Sequence, residues 1–274
     1  MSNAASKSTA SRTPTTPNLG SLFAAAKAAG ELSPGSAAVL TLPDYGAQIQ
    51  AGLGIKVDDV AASEVFLVSV LVDDSWSMSP NAKAARDGHN EVIDALVASK
   101  QGDGILAACQ YLFGTMLYPF MPVAQAVRMD GKNYRADGSH TPLYDRVIVV
   151  LGTAIAKAQE FADNGVVCRT ATLIVTDGAD NSSSATPASV KKIVEDMLRQ
   201  ERHIVAGMGI DDGGVTDFRA VFKGIGIRDE WILTPQNTPS EVRRAFQVFS
   251  RSAVRASQSA ASFSQTAAGG FGQT

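Results

Sequence analysis

Cysteine is nearly missing from this chain, which has two, Cys109 and Cys168. Both lie inside apolar runs and far apart in sequence. That excludes a disulfide-stapled scaffold, and no zinc-type spacing is present. They are expected to be buried free thiols in a reducing compartment. No apolar run approaches the roughly 20 residues needed to span a bilayer. The opening stretch, MSNAASKSTASRTPTTPN, lacks the apolar core of a secretion signal. A cytoplasmic location is therefore expected. Histidine is scarce too: His89, His140 and His203 fall in helix, loop and strand contexts without metal or triad spacing. There is no G-x-S-x-G elbow and no GxxxxGK[ST] phosphate loop. The expectation is that the protein is not an enzyme.

Acid is missing from both ends. All 27 acidic residues lie between Glu31 and Glu241. Residues 1–30 carry Lys7, Arg12 and Lys27, and residues 242–274 carry Arg243, Arg244, Arg251 and Arg255. The middle is left with 17 of the 24 basic residues against 27 acids, a balance of −10. A net charge of −3 points to neither nucleic acid nor membrane as partner. An acidic body with basic ends suits self-association into a homo-oligomer, or docking on an acidic partner; solvated ends are the plainer alternative. A hydrophobic share of 45% is ample for a core.

What is present is organised around residues 65–78, VFLVSVLVDDSWSM. The apolar, β-branched run predicts a strand buried on both faces of a parallel sheet. It ends abruptly in polar residues, and in open α/β sheets that edge is where ligands bind. Further strands are predicted at 105–113, 117–123, 170–176, 202–210 and 231–234. Helices are predicted at 81–99, 142–162, 187–200, 215–223 and 239–257. The alternation predicts an α/β fold, a doubly wound, mostly parallel central sheet flanked by helices. Residues 117–123 suit an edge, because Pro119 and Pro122 cannot donate to a ladder. Residues 1–36 read as a flexible arm containing a short helix over 22–29, and 37–62 as a strand or hairpin lead-in. Residues 63–257 form the main domain, and 258–274 a low-complexity tail.

Asp73, Ser75 and Ser77 place one carboxylate and two hydroxyls on a tight loop. Such oxygen donors suit a hard divalent cation, Mg²⁺ first, with Mn²⁺ or Ca²⁺ as substitutes. Two later strand-to-helix junctions converge on the same edge. One is GSHTPLYD, carrying Thr141; the other is LIVTDGADN, carrying Asp177. Asp180, Asn181, Asp211 and Asp212 belong to loops at this edge as well. The Asp73-Asp74 pair also has a slight likeness to aspartate-nucleophile phosphatases, but Ser75 stands where those need a second acid.

DxSxS after a buried strand, then TPLYD, then VTDG, in this order, resembles the von Willebrand factor type A domain with its metal-ion-dependent adhesion site. The resemblance covers about residues 63–255 and is nearest to intracellular bacterial members. It implies Ser75, Ser77 and Thr141 as direct metal ligands, with Asp73 and Asp177 binding directly or through water. It implies a protein partner that supplies a carboxylate as the last ligand. It also leaves open a structural subunit held together by its ends, or an adaptor for an AAA+ ATPase chaperone. Trp76 stands where the family often has glycine; it either rims the site and selects partners or covers apolar surface. Asp74, His140 and Asp180 are the other candidate rim residues. For Asp74 a solvated loop position is the simpler role, and for His140 a backbone-bonded turn.

Overall fold

The computed structural model describes residues 18–273. Six strands form one sheet in the order β3-β2-β1-β4-β5-β6, with β1 Glu64–Val72, β2 Ile105–Tyr111, β3 Met116–Pro122, β4 Val167–Thr176, β5 His203–Gly209 and β6 Ile232–Leu233. All pairings are parallel except β2 with β3. Pro119 and Pro122 lie on β3, the antiparallel edge, as their missing N–H requires. The chain winds outward from β1 to one edge and then from β4 to the other. The crevice between β1 and β4 is thus the topological switch point. The expected α/β architecture is the one observed.

Consecutive residues of β1, β2 and β5 are buried, so both sheet faces are covered. Helix α4 (Ala82–Val97) packs with α8 (Pro239–Ser257), which in turn packs with α9 (Ala260–Gly269), while α5 (Leu143–Asp163) packs with α6 (Pro187–Arg199). A short α7 (Phe218–Gly224) follows β5. The expected start of that helix at 215 moves to Phe218, because Asp217 caps it through the Ala220 N–H.

The N-terminal segment corrects two expectations. Residues 37–60 contain helices, not a hairpin: α2 (Pro34–Leu40) and α3 (Pro43–Gly52). Each has proline in its first turn, where no N–H is needed, and Ser33 caps α2. Before them comes α1 (Leu19–Ala28), capped by Asn18 and ended by Gly30 at φ +76°. Leu22, Phe23 and Ala26 of α1 are buried, so residues 18–36 are not a free arm. Residues 1–17 of the expected arm lie outside the described residues. The reason for this layer is α5, in which every residue from Val147 to Phe161 is buried. A helix buried on every side needs cover on both faces; the sheet supplies one side, and α1 and α3 the other. Lys157, buried in α5, binds Glu160 at 2.8 Å and the carbonyl of Ile55, fastening the chain after α3.

The C-terminal expectation is corrected likewise. Residues 260–269 form α9, held by Phe263 against Phe66 (centroids 6.3 Å, 72°) and followed by Phe271 on Trp231 (4.8 Å, 68°). Among the described residues no helix is long and apolar enough to cross a membrane.

Helices α4 and α8 meet at Gly88. A Cβ there would lie 2.3 Å from Cδ2 and 2.5 Å from Cγ of Phe246. Alanine gains about 1 kcal/mol of helix propensity over glycine. Overpacking a rigid ring costs about 1–3 kcal/mol, so the clash wins. Gly88→Ala is expected to lower Tm by several degrees. Gly224→Ala, whose Cβ would meet nothing within 4 Å, is expected to leave it level or higher. Calorimetric melts of the two variants check this.

Candidate metal centre

The parallel ladder builds this site. Val72 pairs with Val175, and the Asp73 N–H donates to the Val175 carbonyl at 2.8 Å. Asp73 and Asp177 therefore leave neighbouring strands at one edge. Asp73 is wholly buried. Its Oδ1 accepts the Ser75 N–H at 2.8 Å, and its Oδ2 accepts the Thr176 hydroxyl at 2.6 Å. Its own carbonyl accepts the Tyr134 hydroxyl at 2.5 Å. Asp73 is thus an anchor that fixes the loop and aims Ser75.

The remaining oxygens form a chain. Ser75 Oγ lies 2.9 Å from Ser77 Oγ, and the Ser77 hydroxyl donates to Asp177 Oδ1 at 2.7 Å. Thr141 joins them from the loop before α5. Its N–H donates to Asn181 Oδ1 at 2.8 Å, and its carbonyl accepts the Asn181 N–H at 3.1 Å. Its Oγ1 sits 3.8 Å from where a Gly178 Cβ would be, so the hydroxyl faces the Asp177 turn. Pro142, not Thr141, occupies the cap position of α5, which leaves the threonine side chain free of capping duty. All five sequence-predicted donor positions converge on this edge.

The donor set fits a hard cation. At metal–oxygen distances near 2.1 Å, neighbouring ligands of an octahedral ion lie about 3 Å apart. The Ser75–Ser77 and Ser77–Asp177 spacings of 2.9 and 2.7 Å match such an edge. Hydroxyl protons bridge these oxygens at present. The set is hydroxyl-rich; among the described residues no group of three or more His, Cys, Asp or Glu is placed to hold a metal. Burial, then the neighbouring Asp73, pushes the Asp177 carboxyl up to about 6, against the Ser77 hydrogen bond. Burial also pushes Asp74 up to about 6, opposed by the Phe113 N–H.

The expected rim residues divide. Trp76 is 75% exposed, so it does not cover apolar surface of its own chain. Asp74 is half-buried and accepts the Phe113 N–H at 2.7 Å, so it is not a solvated loop residue. His140 is exposed and stacks on Phe113 at 6.2 Å. Asp180 turns inward instead, accepting the Tyr144 N–H at 3.3 Å and the Ser183 hydroxyl, and so braces the start of α5. Asp211 and Asp212 accept N–H groups of their own loop, from Gly213 to Thr216. The other two histidines are core residues: His89 bonds Tyr118 and His203 bonds Thr170, each at 2.8 Å. Tyr134 and Phe113 carry no sequence signal, since the fold alone brings them here, while Thr176 lies within the VTDG segment without a role assigned from sequence.

Comparison with solved structures finds two crystal structures of the pilus adhesin SpaC from Lactobacillus rhamnosus GG. They match 71% of this chain at 14% identity with TM-scores of 0.51 and 0.52, over 30% and 31% of the adhesin's chain. This chain therefore spans about a third of that protein, and at this identity the likeness is one of fold alone. Similar at lower scores is the vWF domain of the type V pili tip protein Mfa5 from Porphyromonas gingivalis (TM-score 0.48, 11% identity, 70% of this chain and 95% of that one). So is proximal thread matrix protein 1 from the mussel byssus with a zinc-occupied MIDAS motif (TM-score 0.44, 18% identity, 68% of this chain and 48% of that one). No protein-family model and no curated protein matches the sequence.

Burial makes the ionised Asp177 carboxylate unfavourable. Its native pKa, about 6, stands above the ordinary 3.8. Its favourable contribution is therefore present below 3.8 and lost as pH rises through about 6. In EDTA at pH 7, Asp177→Asn is expected to raise Tm, with the gain vanishing near pH 4. Melts at the two pH values check it.

Proposed function

We propose that the protein is a metal-dependent protein-interaction module. Mg²⁺, or Mn²⁺ or Ca²⁺ in its place, would be held by Ser75, Ser77 and Thr141 with Asp177 beside them. The observation that carries this reading is the spacing of the Ser75, Ser77 and Asp177 oxygens at the switch point of the sheet. Bound there, the cation would supply one coordination position that seeks an anionic oxygen, and a carboxylate of a partner protein suits it.

The chain's own residues do the positioning. Asp73 and Thr176 hold the Ser75 turn against β4. Asn181 fixes the backbone at Thr141, and Tyr134 ties its own loop to Asp73. Asp177, kept off the solvent, offers charge where water cannot screen it. The reading is of a binder, not an enzyme, acting in the cytoplasm, where Cys109 and Cys168 stay buried as free thiols. The rival reading, a structural subunit held by its ends, loses support over 18–36 and 258–273. Those segments fold back on the chain's own helices and sheet.

Mg²⁺ is expected to raise Tm progressively, rising with the logarithm of its concentration above Kd, by an amount equivalent to about 2.7 kcal/mol at 100 times Kd. The shift should disappear in a Ser75→Ala/Ser77→Ala variant. Acetate should add to it only when metal is present. A wild-type melt that ignores Mg²⁺ and Mn²⁺ contradicts the reading.

A further inference from the structure

We infer that Trp76 and Phe113 form an apolar shelf beside the metal position, and that the shelf takes a bulky side chain adjacent to the partner's carboxylate. The partner segment then has one acidic residue, an aromatic or large aliphatic neighbour, and neutral or basic flanks. This rests on the proposed metal-dependent binding and adds the chemistry of the partner.

Among the described residues the large exposed hydrophobics include two aromatics, Trp76 at 75% and Phe113 at 46%. Both leave the C-terminal ends of adjacent strands, β1 and β2. They are joined through Gly138: the Trp76 N–H donates to the Gly138 carbonyl at 2.9 Å, and a Cβ at Gly138 would lie 3.2 Å from the Phe113 Cβ. The backbone beneath both rings is held in place. Asp74 Oδ1 accepts the Phe113 N–H at 2.7 Å, its carbonyl accepts the Gly138 N–H at 2.9 Å, and the His140 ring stacks on Phe113 at an interplanar angle of 27°. Preorganised aromatic surface of this kind anchors interfaces.

Neither ring supplies a metal ligand, and the Trp76 ring is three-quarters exposed. Ser75 and Ser77 are fixed by Asp73, Asp177 and the loop backbone, which a smaller residue at position 76 would leave as they are. Charge limits the occupant. Beyond Asp73 and Asp177, this edge carries Asp74, Asp137, Asp180, Asp211, Asp212 and Asp217 against Arg135, His140 and Arg146, whose guanidinium binds the Leu112 carbonyl beside Phe113. A segment with several acids is repelled, so the single carboxylate must come with neutral or basic company. The acidic body of a second copy, at −10 over residues 31–241, fits this edge poorly.

The test uses the full chain in Mg²⁺ and in EDTA, titrated by NMR with two capped pentapeptides. Both have a central aspartate and lysine ends; one has glycines beside the aspartate, the other phenylalanines. The phenylalanine peptide is expected to bind at least about tenfold tighter in Mg²⁺. That ratio should fall towards one in Trp76→Ala and in Phe113→Ser. Taking the ratio within each variant cancels any change in metal affinity. A ratio near one in wild type, or one kept in both variants, overturns the shelf while Mg²⁺-dependent binding of the glycine peptide upholds the parent reading. If neither peptide binds in a Mg²⁺-dependent way, the parent reading fails and the shelf with it. Mg²⁺-dependent dimerisation that the phenylalanine peptide does not displace gives the shelf to a second copy and overturns the peptide occupant.

Discussion

The pairing of β1 with β4 is the constraint on which the rest depends. It runs without a slip from Glu64↔Val167 to Val72↔Val175. A shift of one residue would turn every side chain of β1 to the other face. Here the register is pinned because both faces are buried, so Val70, Leu71 and Val72 have one set of places to go. From it follow the Asp73 N–H bond to Val175, the Thr176 hydroxyl on Asp73 and the nearness of Asp177 to Ser77. The site is the end of a ladder, and its accuracy is the accuracy of the core.

The same arrangement carries a cost. Two carboxylates, Asp73 and Asp177, are buried close together, and burial opposes the ionised form of Asp177. Several groups offset this: the Ser75 N–H and Thr176 hydroxyl on Asp73, and the Ser77 hydroxyl on Asp177. A chain selected for stability alone would place amides or hydroxyls there. A carboxylate kept against its desolvation in this way is what a functional site, rather than a purely structural position, calls for. The layer α1–α3 takes part at one remove. Tyr45 of α3 donates to Asp145 at 2.7 Å, and Asp145 in turn accepts the N–H groups of Ser184 and Ala185. The start of α5, two residues after Thr141, is thereby tied to the loop that follows Asp177.

The sheet and the donor set were legible because their signals are local. A β-branched run that stops at DDSWS declares a buried strand and its polar end. TPLYD and VTDG do the same at later junctions. The helices of the N-terminal segment were harder. Their short apolar stretches, broken by Pro43, Gly52 and Gly54, read as a strand or hairpin, although Pro34 and Pro43 mark helix starts. What decides their helical state is the far side of α5, a partner about 100 residues away. The tail at 258–273 hid in the same way. Two phenylalanines in a Ser/Ala/Gly background hold it down, and Phe66 and Trp231 are what they meet. At the site itself, Ser75 and Ser77 announced themselves by spacing. Tyr134 and Phe113 did not, because only the fold brings them near. Trp76 was visible but ambiguous until its exposure settled which way it faces.

The central claim is that Ser75, Ser77 and Thr141, with Asp177, surround one divalent cation. Crystals of the full chain soaked in Mn²⁺ and measured at the manganese absorption edge test it most directly. The account predicts an anomalous peak at bonding distance from the three hydroxyl oxygens, absent from crystals of the Ser75→Ala/Ser77→Ala variant. No peak there, or a peak confined to the Asp211–Asp212 loop, would contradict it.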